Sequence, residues 1–158
     1  MRCKRLGIGA ALAAGTLAAG LALAPGAAAV VPQSATIIAD CGSYGGGEAT
    51  LTATQTGTSA TITLSSSEIT SPLALDADSI ASTLTMVKAS GGTTAFTGTK
   101  NPAMAAGDGV SVGPLSGTVA PGDSLEAFGG SLKMVIFGFI TVTCTAEEEQ
   151  SPGPFVFE

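Results

Sequence analysis

"FGFITVTCTAEEEQ", residues 137–150, passes from apolar through threonine-rich to acidic and carries one cysteine, Cys144, at its centre. The parity of the run shows what that cysteine is for. Leu132, Met134, Ile136, Gly138, Ile140, Val142 and Cys144 occupy alternate positions, as do Ala35, Ile37, Ala39 and Cys41 in "SATIIADC". Strand side chains alternate between faces, so each cysteine lies on the inward, apolar row of its own strand. A bond joining a first strand to a last strand through the core is the natural outcome.

The opening residues supply the compartment. Arg2, Lys4 and Arg5 precede an uncharged Ala/Leu/Gly run to Ala24, Pro25-Gly26 breaks it, and Ala27-Ala28-Ala29 offers small residues where a signal peptidase reads. Residues 1–29 are therefore expected to be a secretory signal peptide, cleaved after Ala29. The rival is an uncleaved anchor, since the run approaches the roughly 20 residues that span a bilayer. Cys3 leaves with the peptide, and Cys41 and Cys144 are left to pair as a disulfide in an oxidising compartment. Such a bond closes a loop of roughly a hundred residues, for which the chain-entropy model gives about 4–5 kcal/mol at most. A redox or nucleophilic role needs a cationic neighbour for the thiolate, and the chain has no histidine.

Export also changes the charge. Of six basic residues only Lys88, Lys100 and Lys133 remain, against twelve carboxylates. A nucleic-acid ligand needs a basic footprint and would be repelled; anionic membrane surfaces are disfavoured likewise. Nothing after the signal is long and apolar enough to span a membrane as a helix. The expected product is secreted and extracellular, with no membrane span.

Residues 30–146 hold short Thr/Val/Ile/Ala-rich runs separated by Gly, Pro and Ser, the pattern of an all-β domain. Strands are expected near 34–41, 48–55, 59–66, 68–75, 80–89, 93–99, 110–119, 124–128 and 131–145. "QTGT" and "ASGGT" mark hairpins, and "APGDS" and "KNP" mark turns or loops. "LDADSIASTLTMVKA" has a possible helix cap at Asp78, but its Thr, Ile and Val content favours strand. With small core residues and no tryptophan, the expected fold is an antiparallel two-sheet β-sandwich, immunoglobulin-like in architecture only. Residues 147–158, "EEEQSPGPFVFE", form an acidic, Pro/Gly-punctuated tail ending in a short apolar strand. Phe155, Val156 and Phe157 are expected to dock on the domain's own sheet edge; the alternative is a strand offered to a partner.

Catalytic patterns are incomplete. "GVSVG" places Ser111 as in a nucleophile elbow, but that motif needs a histidine and a following helix. Asp76 and Asp78 are the candidate metal ligands, for calcium, yet the spacing of a twelve-residue calcium loop is absent. Asp76, Asp78, Asp108, Asp123 and Glu126 contain the two carboxylates a glycosidase requires. The aromatic platforms of sugar sites are missing, Tyr44 being the one tyrosine. The Thr-x-Thr sets, among them Thr50, Thr52, Thr54 and Thr141, Thr143, Thr145, suit an ice-binding array in type, but have no fixed period and read as the wet faces of strands. No cofactor is expected.

The span from "ADCGSYGGGEATLTATQTGTSATITLSS" through "NPAMAAGDGVSVGPLSGTVAPGDSL" to "ITVTC" resembles small secreted proteins of high-GC Gram-positive bacteria, with an Ala-rich signal, a cysteine near each end and Thr-rich strands between. The resemblance implies a secreted β-sandwich without assigned activity and carries over no functional residue. The expected role is non-catalytic binding or scaffolding of an unknown protein or envelope component; a carboxylate-based hydrolase and a calcium-dependent adhesion module are the alternatives.

Overall fold

Threonine and β-branched residues alternating with small apolar ones produce nine strands and a single 3-10 turn in the computed structural model, which describes residues 29–158. The expected signal peptide lies outside the described residues, apart from Ala29. The strands are β1 (Ser34–Asp40), β2 (Gly46–Thr56), β3 (Ser59–Thr70), β4 (Ile80–Lys88), β5 (Thr93–Thr99), β6 (Gly109–Thr118), β7 (Ser124–Ile136), β8 (Ile140–Ala146) and β9 (Phe155–Val156). The 3-10 turn, Gly42–Tyr44, follows β1. Among the described residues no helix is long and apolar enough to cross a membrane.

All ladders are antiparallel and run β4-β5-β6-β3-β2-β1-β8-β7, with β4 pairing back onto β7. Hydrogen bonding thus continues round a ring of eight strands. The described residues are all-β, as their alternation requires, but the expected division into two immunoglobulin-like sheets gives way to a closed barrel. The physical reason is the β4–β7 ladder, which runs from Ile80↔Ile136 to Lys88↔Leu125 and leaves no free edge between the two halves.

Three strand expectations change. The segment 68–75 is not separate: β3 continues to Thr70 through a bulge, and the chain then becomes irregular. Ser66 holds the bulge, its hydroxyl donating to Glu48 O at 2.6 Å and accepting from the N–H groups of Glu68 and Ile69. The run 131–145 is a hairpin, with Ile136 opposite Ile140 and residues 137–139 between them. Phe137 and Gly138 both have positive φ, 53° and 76°, the left-handed pair that suits a tight strand reversal. The segments 124–128 and 131–136 join into one strand, β7, across a register shift between Phe128 and Leu132.

The interior is filled unevenly. Ala35, Ala39, Ala49, Ala53 and Ala60 line the β1–β2–β3 wall, while Phe96, Met86 and Leu84 project from the opposite side. Gly117 is part of this fit: a Cβ there would come 2.6 Å from Phe96 Cδ1, so an alanine would push the ring aside. The lower end is closed by the tail, whose Phe155 and Phe157 are buried. The docked-tail expectation therefore holds, through Ser124↔Val156 and Leu125↔Phe155.

Asp123 fastens the turn that receives the tail. Its carboxylate accepts the Ala120 N–H at 2.9 Å and the Lys88 ammonium at 3.1 Å, and Phe157 N–H donates to Asp123 O. The Ala120 hydrogen bond, with Lys88 adding to it against the cost of burial, holds the Asp123 carboxyl below its ordinary range. A lowered folded-state pKa contributes stability above the unfolded value, near 4, and that contribution fades as pH falls through the folded value. Asp123→Asn is therefore expected to lower the melting temperature by a few degrees at pH 6–7, for a loss of about 1–2 kcal/mol. Paired thermal melts should show the gap closing below pH 4.

Candidate functional site

The β1–β8 seam is staggered, and the stagger creates the site. Only Ala39↔Ala146 and Asp40↔Thr145 pair across it. Immediately above, the Cys41–Cys144 disulfide joins the two strands with Cα atoms 4.0 Å apart, so the expected bond is present. The chain then turns away: Asp40 Oδ1 accepts the Gly42 N–H at 2.8 Å, and Cys41 N–H donates to Gly45 O, closing the 3-10 turn. Among the described residues, residues 140–143 of β8 thus have β7 on one side and no ladder on the other. Below the staple the reverse holds. There β1 outruns β8, and the tail fills the gap, Thr36 and Ser151 exchanging both backbone hydrogen bonds at 2.7 and 2.9 Å.

Above the staple the gap opens into an apolar mouth of about 90 Å³. Its floor is Ile80, Met134 and Val142; Cys41, Tyr44 and Leu73 close its sides. Tyr44 and Leu73 are half exposed, while Phe137 and Phe139, on the turn leading from Ile136 to Ile140, are 51% and 76% exposed. The two phenyl rings lie 6.3 Å apart. An engineered apolar cavity of roughly 150 Å³ takes benzene, so this smaller, open mouth suits one apolar group of side-chain size. Ser71, beside it, is satisfied, its hydroxyl donating to Leu73 O and its backbone bonded to Asp108 and Gly107.

A comparison with family models, curated proteins and solved structures found no match in any of the three. The site must be read from its own chemistry.

The carboxylates singled out in the sequence are dispersed, and those of Asp108, Asp123 and Glu126 are bound to backbone N–H groups. Asp108 accepts the Ala105 N–H, and Glu126 accepts those of Ala127, Phe128 and Gln150. Asp76 and Asp78 lie in a loop organised by buried Asn101. The Asn101 carbonyl oxygen accepts from Ser79 and Ile80, and its amide donates to Asp76 O and Pro102 O. Asp78 pairs with Lys100 at 3.3 Å. Among the described residues no three His, Cys, Asp or Glu side chains come together as a metal cage. Ser111 is a β6 strand residue opposite Ser65, with no helix after it. Of the partner-binding candidates, Phe155 and Phe157 are spent on the core and Val156 is partly exposed.

The threonines of the Thr-x-Thr sets face outward, as alternation predicts. Thr52 sits opposite Thr63 and Thr54 opposite Thr61, the latter pair with hydroxyls 2.7 Å apart. Sequence reasoning missed Tyr44, Leu73, Phe137 and Phe139. Tyr44 and Leu73 are far apart in the chain and meet only at the mouth, while Phe137 and Phe139 project from the turn between its lining residues Ile136 and Ile140. The "FGF" of the turn was their one local signal.

Proposed function

We propose that this chain is a secreted, non-catalytic binding domain of the extracellular space or cell envelope, whose barrel mouth holds an apolar group of its partner. One observation carries the reading: an apolar mouth, bordered by the half-exposed Tyr44 and Leu73, on a protein whose described residues carry twelve carboxylates and three lysines. Barrel mouths are common ligand sites, and clustered exposed apolar groups mark places of interaction. The disulfide supports the secreted part of the reading, since such bonds persist in oxidising compartments.

The test is an NMR titration of the intact protein with indole and with short-chain alkanols. Shifts are expected at Tyr44, Leu73 and Val142 and not at the tail. Leu73→Asp, at a position already half exposed, is expected to weaken binding by tenfold or more while leaving the melting temperature within about 2 °C, as for other surface changes. Saturable shifts clustered elsewhere, or none, would remove the mouth as the binding site.

A further inference from the structure

We infer that the open upper half of the β1–β8 seam is a strand-addition site for an extended peptide segment of a partner protein, one bulky apolar side chain of which enters the mouth. The inference rests on the binding role proposed above and names the partner's chemistry.

The backbone directions follow from the pairing. Thr145 lies opposite Asp40, and Glu147 N–H donates to Ile38 O, so the odd-numbered residues of this segment aim their backbone groups at β1. Thr143 and Thr141, two and four residues earlier, aim theirs the same way, where β1 has already turned off. Among the described residues nothing pairs with their N–H and C=O groups, which form a short free edge, and the side chains of the alternate residues Ile140 and Val142 face the mouth. An edge beside a side-chain-sized pocket is the combination that strand addition uses: main-chain bonds give affinity and the pocket gives selectivity.

The lower half of the same seam shows what fits. There the chain's own tail lies extended against Thr36 and Leu125 and buries Phe155 and Phe157. The upper half offers the same elements without an occupant from the described chain. Charge narrows the partner further. Asp40 is exposed where the free edge begins, and the described residues carry twelve carboxylates against three lysines, so an acidic segment is repelled and a neutral or basic one is favoured.

The experiment pans a phage-displayed library of nine-residue linear peptides on the intact, oxidised protein. Enriched sequences are expected to carry one large apolar residue flanked at alternate positions by β-branched residues, with Lys or Arg outnumbering Asp and Glu. Thr143→Pro removes one edge N–H at a position where proline is tolerated. It is expected to weaken a selected synthetic peptide by tenfold or more, leaving the fold and indole binding unchanged. Backbone N-methylation of the peptide should do the same to the native protein. Peptide binding indifferent to both changes, or no enriched peptide while indole still binds, overturns strand addition and leaves the mouth reading standing. Loss of indole binding as well removes both. A dimer in solution that Thr143→Pro dissociates assigns the edge to a second copy and overturns the peptide partner.

Discussion

Removing the disulfide, as Cys41→Ala with Cys144→Ala, is expected to lower the melting temperature by roughly 10–15 °C. The bond spans 103 residues, so nearly the whole domain loses a constraint on its unfolded state. The chain-entropy ceiling of about 4–5 kcal/mol is large against the 5–15 kcal/mol net stability of ordinary domains. The native state loses something too. Only two residue pairs join β1 to β8, and the staple sits between them and the open mouth. Amide exchange in the double variant should therefore accelerate first at Tyr44 and at residues 140–143, before the β2–β3 hairpin. A calorimetric shift under about 5 °C would show that packing, not the covalent bond, carries the seam.

The staple was legible because two parities converged on it. Alternation placed Cys41 and Cys144 on inward rows, and that conclusion needs no knowledge of which strands are neighbours. The barrel was not legible for the converse reason. A half-buried strand alternates identically in a sandwich and in a barrel, and the choice depends on β4 finding β7, a pairing between segments some fifty residues apart. The β7–β8 hairpin was concealed by its own geometry. Ile136 and Ile140 are paired residues four apart, so the inward row continues across the turn with unbroken parity. Gly138, counted with the inward row, was in fact at the turn itself.

Asn101 shows a different limit. "KNP" announces a loop, but nothing local says that its amide will be buried and shared among Asp76, Ser79, Ile80 and Pro102. The acidic loop that suggested calcium is thereby ordered by a neutral side chain from another loop. The mouth lies beyond sequence reading in the same way. Tyr44 comes from the 3-10 turn, Leu73 from the irregular segment after β3, and Ile136 and Ile140 from the two ends of the hairpin turn.

Deleting residues 147–158 is expected to be as damaging as breaking the disulfide, or more so, although the segment contains a strand of only two residues. The tail is a structural stopper. Phe155 and Phe157 are 0% and 1% exposed, and truncating a buried phenylalanine to alanine costs about 3–5 kcal/mol. Gln150, also buried, accepts the Ala127 N–H at 3.0 Å and donates to Gly153 O. Gln55, on β2, donates to Glu158 O and accepts its N–H. The truncated chain leaves Gln55, Ala127 and the lower half of β1 without these partners, at about 1–3 kcal/mol for each group that stays buried.

The double change Phe155→Ala, Phe157→Ala should therefore consume most of a typical domain's stability and abolish cooperative melting above about 37 °C. Val156→Ala, between them on the partly exposed face, should cost less than about 1 kcal/mol. This contrast separates a plugged core from a strand that contributes only hydrogen bonds, since all three changes leave the β7–β9 ladder intact. Denaturant midpoints of the three single variants decide the matter: equal small losses would mean that the rings contribute no more than the exposed valine. Rescue of the truncated chain by a synthetic 147–158 peptide, with the Phe155→Ala, Phe157→Ala peptide failing to rescue, would locate the stabilisation in the two side chains and show the barrel accepting an extended segment supplied from outside.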